Sequence, residues 1–262
     1  MLCFWVGTGV SAKPENDVPK IDYSVIQEKN HNPKLFTQGF LIVKDWIYES
    51  SGRYGQSLLA RYKEENGEGF YSQKLPDDIF AEGLTFWNNS FYLITWRNQT
   101  AYRYDEYWSQ KQTFHYQGEG WGLTHTDTQL IMSNGSDQLQ FINPDDFSVE
   151  KILTVTGYNR TWDLLNELEY HNGIVWANRW LSDELIAIDA TTGNVLGVID
   201  LTELAKPHRK GIFTSDKVAN GIAWSEQHQA FWITGKYWPK RYLIKIPEQY
   251  IAAQIAEESS NE

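Results

Sequence analysis

Glu82, Lys236, Gln38, Asn166, Trp96, Trp121, Trp180, Phe36 and Phe80 are the residues of this chain whose types and spacing can do chemistry. They gather around five short phrases: Phe36-Thr37-Gln38-Gly39-Phe40, Phe80-Ala81-Glu82-Gly83-Leu84, Gly120-Trp121-Gly122-Leu123-Thr124, Leu165-Asn166-Glu167-Leu168 and Ala219-Asn220-Gly221-Ile222-Ala223. Aligned on the residue before the glycine, Gln38, Glu82, Trp121, Asn166 and Asn220 share one slot, at spacings of 44, 39, 45 and 54 residues. A carboxylate facing the interior is costly to desolvate unless it is paired. Lys236 is the cation available to Glu82, so the two read either as working groups or as a buried structural ion pair. The amides Gln38 and Asn166 supply hydrogen bonds, although Gln38 and Asn220 also read as polar groups that satisfy buried backbone. Three indoles at equivalent levels read as a stacking surface, beyond ordinary packing.

Other chemistries have no residues to carry them. There is no H-E-x-x-H, and His31, His115, His125, His171, His208 and His228 show no ligand spacing, so neither a catalytic zinc nor any other cofactor is expected. No G-x-S-x-G elbow is present. Gly118, Gly120 and Gly122 alternate but lack a following helix and a P-loop lysine. Cys3 is the single cysteine, which leaves no disulfide and no thiolate site in the rest of the chain. Asn88, Asn98, Asn134 and Asn159 fit N-x-[ST], which matters only in a eukaryotic secretory pathway.

The elements that must position the site follow from the same repeat. A period of about 40–50 residues in an all-β sequence is the signature of propeller blades of roughly four strands. Five phrases therefore predict an all-β, five-bladed β-propeller with the shared slot facing the axis. A strand rises about 3.3 Å per residue, so a strand out, a tight turn and a strand back consume roughly 14 positions. Fourteen residues after Glu82 and Asn166 stand Trp96 and Trp180, and sixteen after Asn220 stands Lys236. Period-two alternation puts Phe36 beside Gln38 and Phe80 beside Glu82. The second strands are predicted at Trp46–Ser51, Phe91–Trp96, Gln129–Asn134, Ile174–Trp180 and Ala230–Lys236. Tyr23–Gln27 alternates like a strand and is expected to close the ring as the outer strand of the last blade. Residues 201–216 form an insertion with a short helix and loop.

At 262 residues and 41% hydrophobic composition, one domain with a sizeable core is expected. A net charge of −11 argues against nucleic acid or an anionic membrane as partner. The boundaries are a signal-like segment at 1–12, a leader and closing strand at 13–30, the propeller at 31–248, and a tail of helical composition at 249–262. Residues 1–12 are apolar and end in Val10-Ser11-Ala12, the pattern of a secretory cleavage site, which predicts a periplasmic or secreted protein. Without that signal it would be cytoplasmic. No other stretch is long and apolar enough to span a bilayer, and a monomer is the expected state.

Several long motifs in order resemble the plant-and-bacterial type of glutaminyl-peptide cyclotransferase, from about Lys34 to Ile246. They include Phe36-Thr37-Gln38-Gly39, Tyr48-Glu49-Ser50-Ser51-Gly52-Arg53-Tyr54-Gly55-Gln56-Ser57, Phe80-Ala81-Glu82-Gly83-Leu84-Thr85, Gly120-Trp121-Gly122-Leu123-Thr124, Met132-Ser133-Asn134-Gly135-Ser136-Asp137, Leu165-Asn166-Glu167-Leu168-Glu169-Tyr170 and Thr234-Gly235-Lys236-Tyr237-Trp238-Pro239. Ser51 and Asn134 stand where the family pattern has Thr and Asp. The resemblance implies a five-bladed propeller that converts an N-terminal glutaminyl residue of a peptide or protein to pyroglutamate, releasing ammonia. It assigns the catalytic glutamate to Glu82, with pocket residues Phe36, Gln38, Phe80, Trp96, Trp121, Asn166, Trp180 and Lys236. Missing cysteines point to the bacterial branch. On that reaction Glu82 would carry the proton from the α-amine to the leaving nitrogen, with Asn166, the Trp180 indole and Lys236 as donors to the carbonyl oxygen. Gln38 would read the amine or the amide. The alternatives are a propeller glycosidase, for which Glu82 lacks an evident second carboxylate on the axis, and a non-catalytic propeller binding peptides or glycans.

Overall fold

The computed structural model describes residues 17–209 and 216–251. Among the described residues, short apolar runs broken by polar turns fold into twenty strands, grouped as five four-stranded antiparallel sheets. The first blade contains β2 (Thr37–Val43), β3 (Trp46–Ser51), β4 (Leu58–Lys63) and β5 (Tyr71–Lys74), after the N-terminal β1 (Ser24–Asn30). The second runs β6 (Ala81–Trp87), β7 (Ser90–Thr95), β8 (Thr100–Tyr104) and β9 (Gln110–His115). The third runs β10 (Leu123–His125), β11 (Leu130–Ser133), β12 (Gln138–Ile142) and β13 (Val149–Thr154). The fourth runs β14 (Leu165–His171), β15 (Ile174–Arg179), β16 (Glu184–Asp189) and β17 (Val195–Asp200). The fifth is β18 (Ala219–Ser225), β19 (Ala230–Gly235) and β20 (Lys240–Lys245), with β1 as its outer strand. Inner strands pack against the inner strands on both sides, and β18 meets β2 to complete the circle. This is the five-bladed propeller that the repeat predicts.

Ring closure follows the sequence reading. β1 pairs antiparallel with β20 from Ser24 opposite Lys245 to Asn30 opposite Lys240. Just beyond β1, His31 ties three pieces of chain together. Its Nδ1 donates to the Trp238 carbonyl at 2.6 Å, and its Nε2 lies 3.1 Å from the buried Glu49 carboxylate of the first blade. Burial opposes a charge on this ring, but the Glu49 carboxylate and the two hydrogen bonds outweigh it and hold the His31 pKa above its ordinary value. Glu49 also accepts from Thr37 Oγ1 at 2.6 Å and Tyr62 OH at 3.1 Å, so the seam buries a carboxylate with its partners supplied.

Four inner strands carry a register irregularity at the shared slot: between Thr37 and Gly39, Ala81 and Leu84, Leu165 and Leu168, and Ala219 and Ile222. A bulge re-aims one side chain out of the regular alternation. Here it frees Gln38, Glu82, Asn166 and Asn220 from strict in-or-out packing. On the return strands, the residue after Trp180 or Lys236 turns left-handed (Leu181 φ 62°, Tyr237 φ 59°). The chain thus leaves the sheet as soon as those two side chains reach the rim.

The position after the slot decides how close the blades approach. A Cβ on Gly83 would stand 2.4 Å from Leu123 N, and one on Gly122 only 1.9 Å from Asn166 O. Both obstacles are backbone, so neither can swing aside. In the fourth blade Glu167 occupies this position. Its carboxylate accepts Phe40 N of the first blade at 3.1 Å and Ile222 N of the fifth at 2.8 Å. Glu169 accepts Trp224 N at 2.8 Å. Both glutamates therefore brace the ring, away from the slot residues, as alternation predicts. Gly122→Ala is expected to lower stability by at least about 2 kcal/mol, the scale of overpacking, and to displace Asn166. Thermal melting checks the first effect, and lost turnover in the folded fraction checks the second.

The insertion after the fourth blade contains α1 (Thr202–Ala205) and a 3-10 turn at Lys206–His208. The described chain ends just after a 3-10 turn at Glu248–Tyr250. The signal-like segment 1–12, the first part of the leader and the tail from 252 onward lie outside the described residues. None of the helices among the described residues is long and apolar enough to cross a membrane.

Candidate active site

At one end of the axis the inner strands leave a cavity of about 120 Å³, lined by Phe36, Gln38, Phe80, Glu82, Trp96, Trp121, Asn166, Trp180, Asp216 and Lys236. Nine of these ten are the residues that the repeat and its alternation bring together. The tenth, Asp216, is new. Among the described residues, no group of three or more His, Cys, Asp and Glu side chains is placed to hold a metal ion.

Glu82 is 5% exposed and sits at the cavity floor. Gln38 Nε2 donates to its Oε1 at 2.9 Å. Ser50 Oγ holds the Glu82 backbone carbonyl, which fixes the peptide from which the carboxylate projects. Burial pushes the Glu82 pKa well above its ordinary value; Lys236 pulls it back and the Glu119 charge adds to the rise. Lys236, 4% exposed, is pushed down to about 8 by burial, against the attraction of Glu82 and Asp216 and with the repulsion of Arg53. The two charged ends do not close to within the 4.0 Å of an ion pair. Of the two readings, the structural ion pair does not form, and both groups line the cavity. The gap leaves room for a substrate between them.

Lys236 instead lies over the Phe36 ring, Nζ at 4.7 Å from its centre. The other cation on that ring is Arg53, whose guanidinium carbon is 4.2 Å from the centre and which ion-pairs with Asp216. Arg53 reaches this place from a left-handed backbone, φ 115°, a conformation that persists in a non-glycine residue only where the surroundings hold it. The Phe36 backbone N–H donates to Ser51 Oγ at 2.9 Å, so serine meets the requirement for a hydroxyl here.

The aromatic wall is held from outside by Glu119. Its Oε2 accepts the Trp96 indole N–H at 2.7 Å and that of Trp121 at 3.0 Å, and its Oε1 accepts Arg97 Nε at 2.9 Å. Those donors hold the Glu119 pKa below its ordinary value although partial burial works against them. Phe80 packs against Trp96 at 5.4 Å between ring centres and edge-on to Phe36 at 6.1 Å. Trp180 stands perpendicular to Trp121, 5.4 Å between centres. Unlike the other two pocket indoles, the Trp180 N–H has no acceptor among the described residues, and its side chain lines the cavity. Asn166 has its backbone carbonyl fixed by Ser133 Oγ at 2.7 Å, while its Oδ1 is buried with no partner. Glu119→Ala is expected to raise KM up to about thirtyfold, since two hydrogen bonds worth about 1 kcal/mol each are lost from the wall. Steady-state kinetics on the same peptide, with an unchanged melting midpoint, would check it.

Sequence patterning missed Glu119 and Asp216 for identifiable reasons. Glu119 precedes β10 in a stretch with no regular strand, where alternation assigns no face. Its one signal was its place two residues from Trp121. Asp216 stands at the end of the aperiodic insertion and reaches the pocket only by tertiary packing. It adds a second carboxylate to the cavity lining, ion-paired with Arg53.

The comparisons with known proteins fall on this same architecture. The family model described as glutamine cyclotransferase matches residues 1–246. A glutaminyl-peptide cyclotransferase of Arabidopsis thaliana is 35% identical over 230 residues, 87% of this chain and 72% of that protein. The crystal structure of Myxococcus xanthus glutaminyl cyclase superposes with a TM-score of 0.79 at 31% identity, covering 88% of this chain and 98% of that one. With a propeller whose five unequal slots converge on one buried carboxylate, and with this extent of match, the chain belongs to the glutamine cyclotransferase family.

Proposed function

We propose that this chain is a glutaminyl-peptide cyclotransferase that closes the N-terminal glutamine of peptides or proteins to pyroglutamate with release of ammonia, and that Glu82 carries the proton. The observation that carries the assignment of Glu82 is a single buried carboxylate at the floor of an aromatic cavity, hydrogen-bonded by Gln38 and opposite, but not touching, Lys236. Nucleophile and electrophile belong to one substrate, so holding the side chain folded toward the amine supplies much of the acceleration. No enzyme nucleophile is needed.

The α-amine nitrogen attacks the γ-carboxamide carbon, and the C–N bond of the ring forms as the carbonyl oxygen takes the negative charge. Glu82 accepts the proton that the attacking nitrogen sheds. It then delivers that proton to the amide nitrogen, the old C–N bond breaks and ammonia leaves. Glu82 returns to its starting state. The Trp180 indole N–H, the Asn166 amide and the Lys236 ammonium, all lining the cavity, are the donors for the oxyanion. Phe36, Phe80, Trp96 and Trp121 enclose the substrate side chain and exclude water, which strengthens each of those interactions. A γ-carboxylate in place of the γ-amide would meet the Glu82 charge and has no neutral nitrogen to expel.

A coupled ammonia-release assay is expected to give turnover on a Gln-initiated peptide and none on its Glu-initiated twin, with rates unchanged by a chelator. Equal release from both peptides, or release from neither, would sink the reading. A propeller glycosidase needs two carboxylates opposed across the bond it cleaves. The second carboxylate on this cavity, Asp216, is bound to Arg53.

A further inference from the structure

Asn220 has no contact with the reaction just described, yet it is completely buried in the fifth blade's copy of the slot. Its Nδ2 donates to the Thr37 backbone carbonyl at 2.9 Å and lies 3.3 Å from Gln38 Oε1. Gln38 Nε2 in turn donates to Glu82 Oε1 at 2.9 Å. The polarity of this chain is settled at its far end. A backbone carbonyl can only accept, so Asn220 must present its NH2 group to Thr37. Gln38 must then turn its oxygen toward that nitrogen, which leaves only its NH2 for Glu82. The arrangement leaves Asn220 Oδ1 buried without a partner, a cost that buried amides rarely carry without a reason.

We infer that Asn220 is a positioning residue for the cyclisation: by locking the Gln38 amide as a donor, it biases Glu82 toward its ionised, proton-accepting form. The inference rests on the reading of Glu82 as the proton shuttle. With the lock removed, the Gln38 amide is free to rotate and present its oxygen to the carboxylate, which favours the protonated acid. The other charged or titratable groups facing Glu82 are Lys236, Glu119 and Tyr116, with Asp216 on the same cavity beyond Lys236. None of them touches Asn220, so they remain in place when it is changed.

The experiment compares wild type with Asn220→Ala and Asn220→Ser, the serine hydroxyl retaining a donor for the Thr37 carbonyl if the alanine variant fails to fold. The pH dependence of kcat is measured, together with the pKa of the Glu82 carboxyl read from its infrared carboxylate band, identified by its absence in Glu82→Gln. Both variants are expected to move the acid limb of kcat and the infrared pKa up together by roughly one pH unit. They should lose about tenfold in kcat below the limb, regain wild-type turnover above it and leave KM unchanged. A uniform fall in kcat at every pH, with the infrared pKa unmoved, would overturn the inference and leave Asn220 a packing residue. If Glu82→Gln keeps its turnover, the shuttle reading fails instead, while the infrared pKa still reports on the lock.

Discussion

Replacing Glu82 by glutamine is expected to abolish ammonia release, by at least about a thousandfold, while making the protein more stable at neutral and alkaline pH. The activity loss follows from the role: glutamine keeps the shape and the hydrogen-bonding oxygen but takes no proton, and positioned acid–base groups contribute 10²–10⁴-fold. The stability gain follows from burial. The Glu82 pKa is raised well above the ordinary 4.5, so the folded chain binds a proton that the unfolded chain has already lost. By linkage, the stability contributed by this group is complete below about pH 4.5 and is lost as pH rises through the folded pKa. Glutamine carries no such penalty. Its melting midpoint should therefore match wild type in acid and exceed it increasingly as pH climbs toward the folded pKa. A dead variant that melts lower than wild type at pH 8 would make Glu82 a structural group; a live one would remove the shuttle.

Lys236→Ala is expected to cost 10²–10³-fold in turnover, the scale for losing a charged donor to a developing oxyanion, and the protein should stay folded. The pH dependence separates this role from a structural one. The peptide amine, which titrates near 7.7–8.0, must be neutral to attack and Glu82 ionised to take its proton, so the rate rises with pH as both give up their protons. Lys236 loses its proton at about 8, pushed down chiefly by burial. The wild-type profile is then a narrow bell, with an alkaline limb belonging to Lys236. Lys236→Arg, which stays charged, should lose that limb even if its turnover is low. The sign for stability is the reverse of that for Glu82. Between about pH 8 and the ordinary 10.5 the unfolded chain holds more protons than the folded one, so wild-type stability climbs with pH there. A Lys236→Met variant should accordingly melt above wild type below pH 8, the gain shrinking toward 10.5. If Lys236→Ala only melts the protein, or the alkaline limb survives in the arginine variant, the oxyanion role is wrong.

Wild type, Glu82→Gln and Lys236→Arg titrated side by side form a closed test. Glu82→Gln is expected to lose turnover at every pH, whereas Lys236→Arg is expected to lose only the alkaline limb and keep the acid one. The two groups sit across one cavity, so their effects are coupled, and the double variant should not show the product of the single losses.

The ring and most of its site were legible in the chain before any coordinates. A repeat of blades places equivalent residues at equivalent heights, so counting from Glu82 to Trp96 and from Asn166 to Trp180 locates side chains distant in sequence. Alternation then adds Phe36 and Phe80. What tertiary structure alone decided lies where periodicity stops. Glu119 is in a non-strand segment, and Asp216 in the insertion, so neither has a phase from which a direction can be read. The separation of Glu82 and Lys236 is a matter of ångströms set by the packing of the first blade's inner strand between those of the second and fifth, and no spacing in sequence encodes it. The orientation of Gln38 depends on a carbonyl, that of Thr37, which every residue possesses. Residue types and their period determined the fold and which side chains meet; the way those side chains share protons and hydrogen bonds was decided only when five inner strands were brought around one axis.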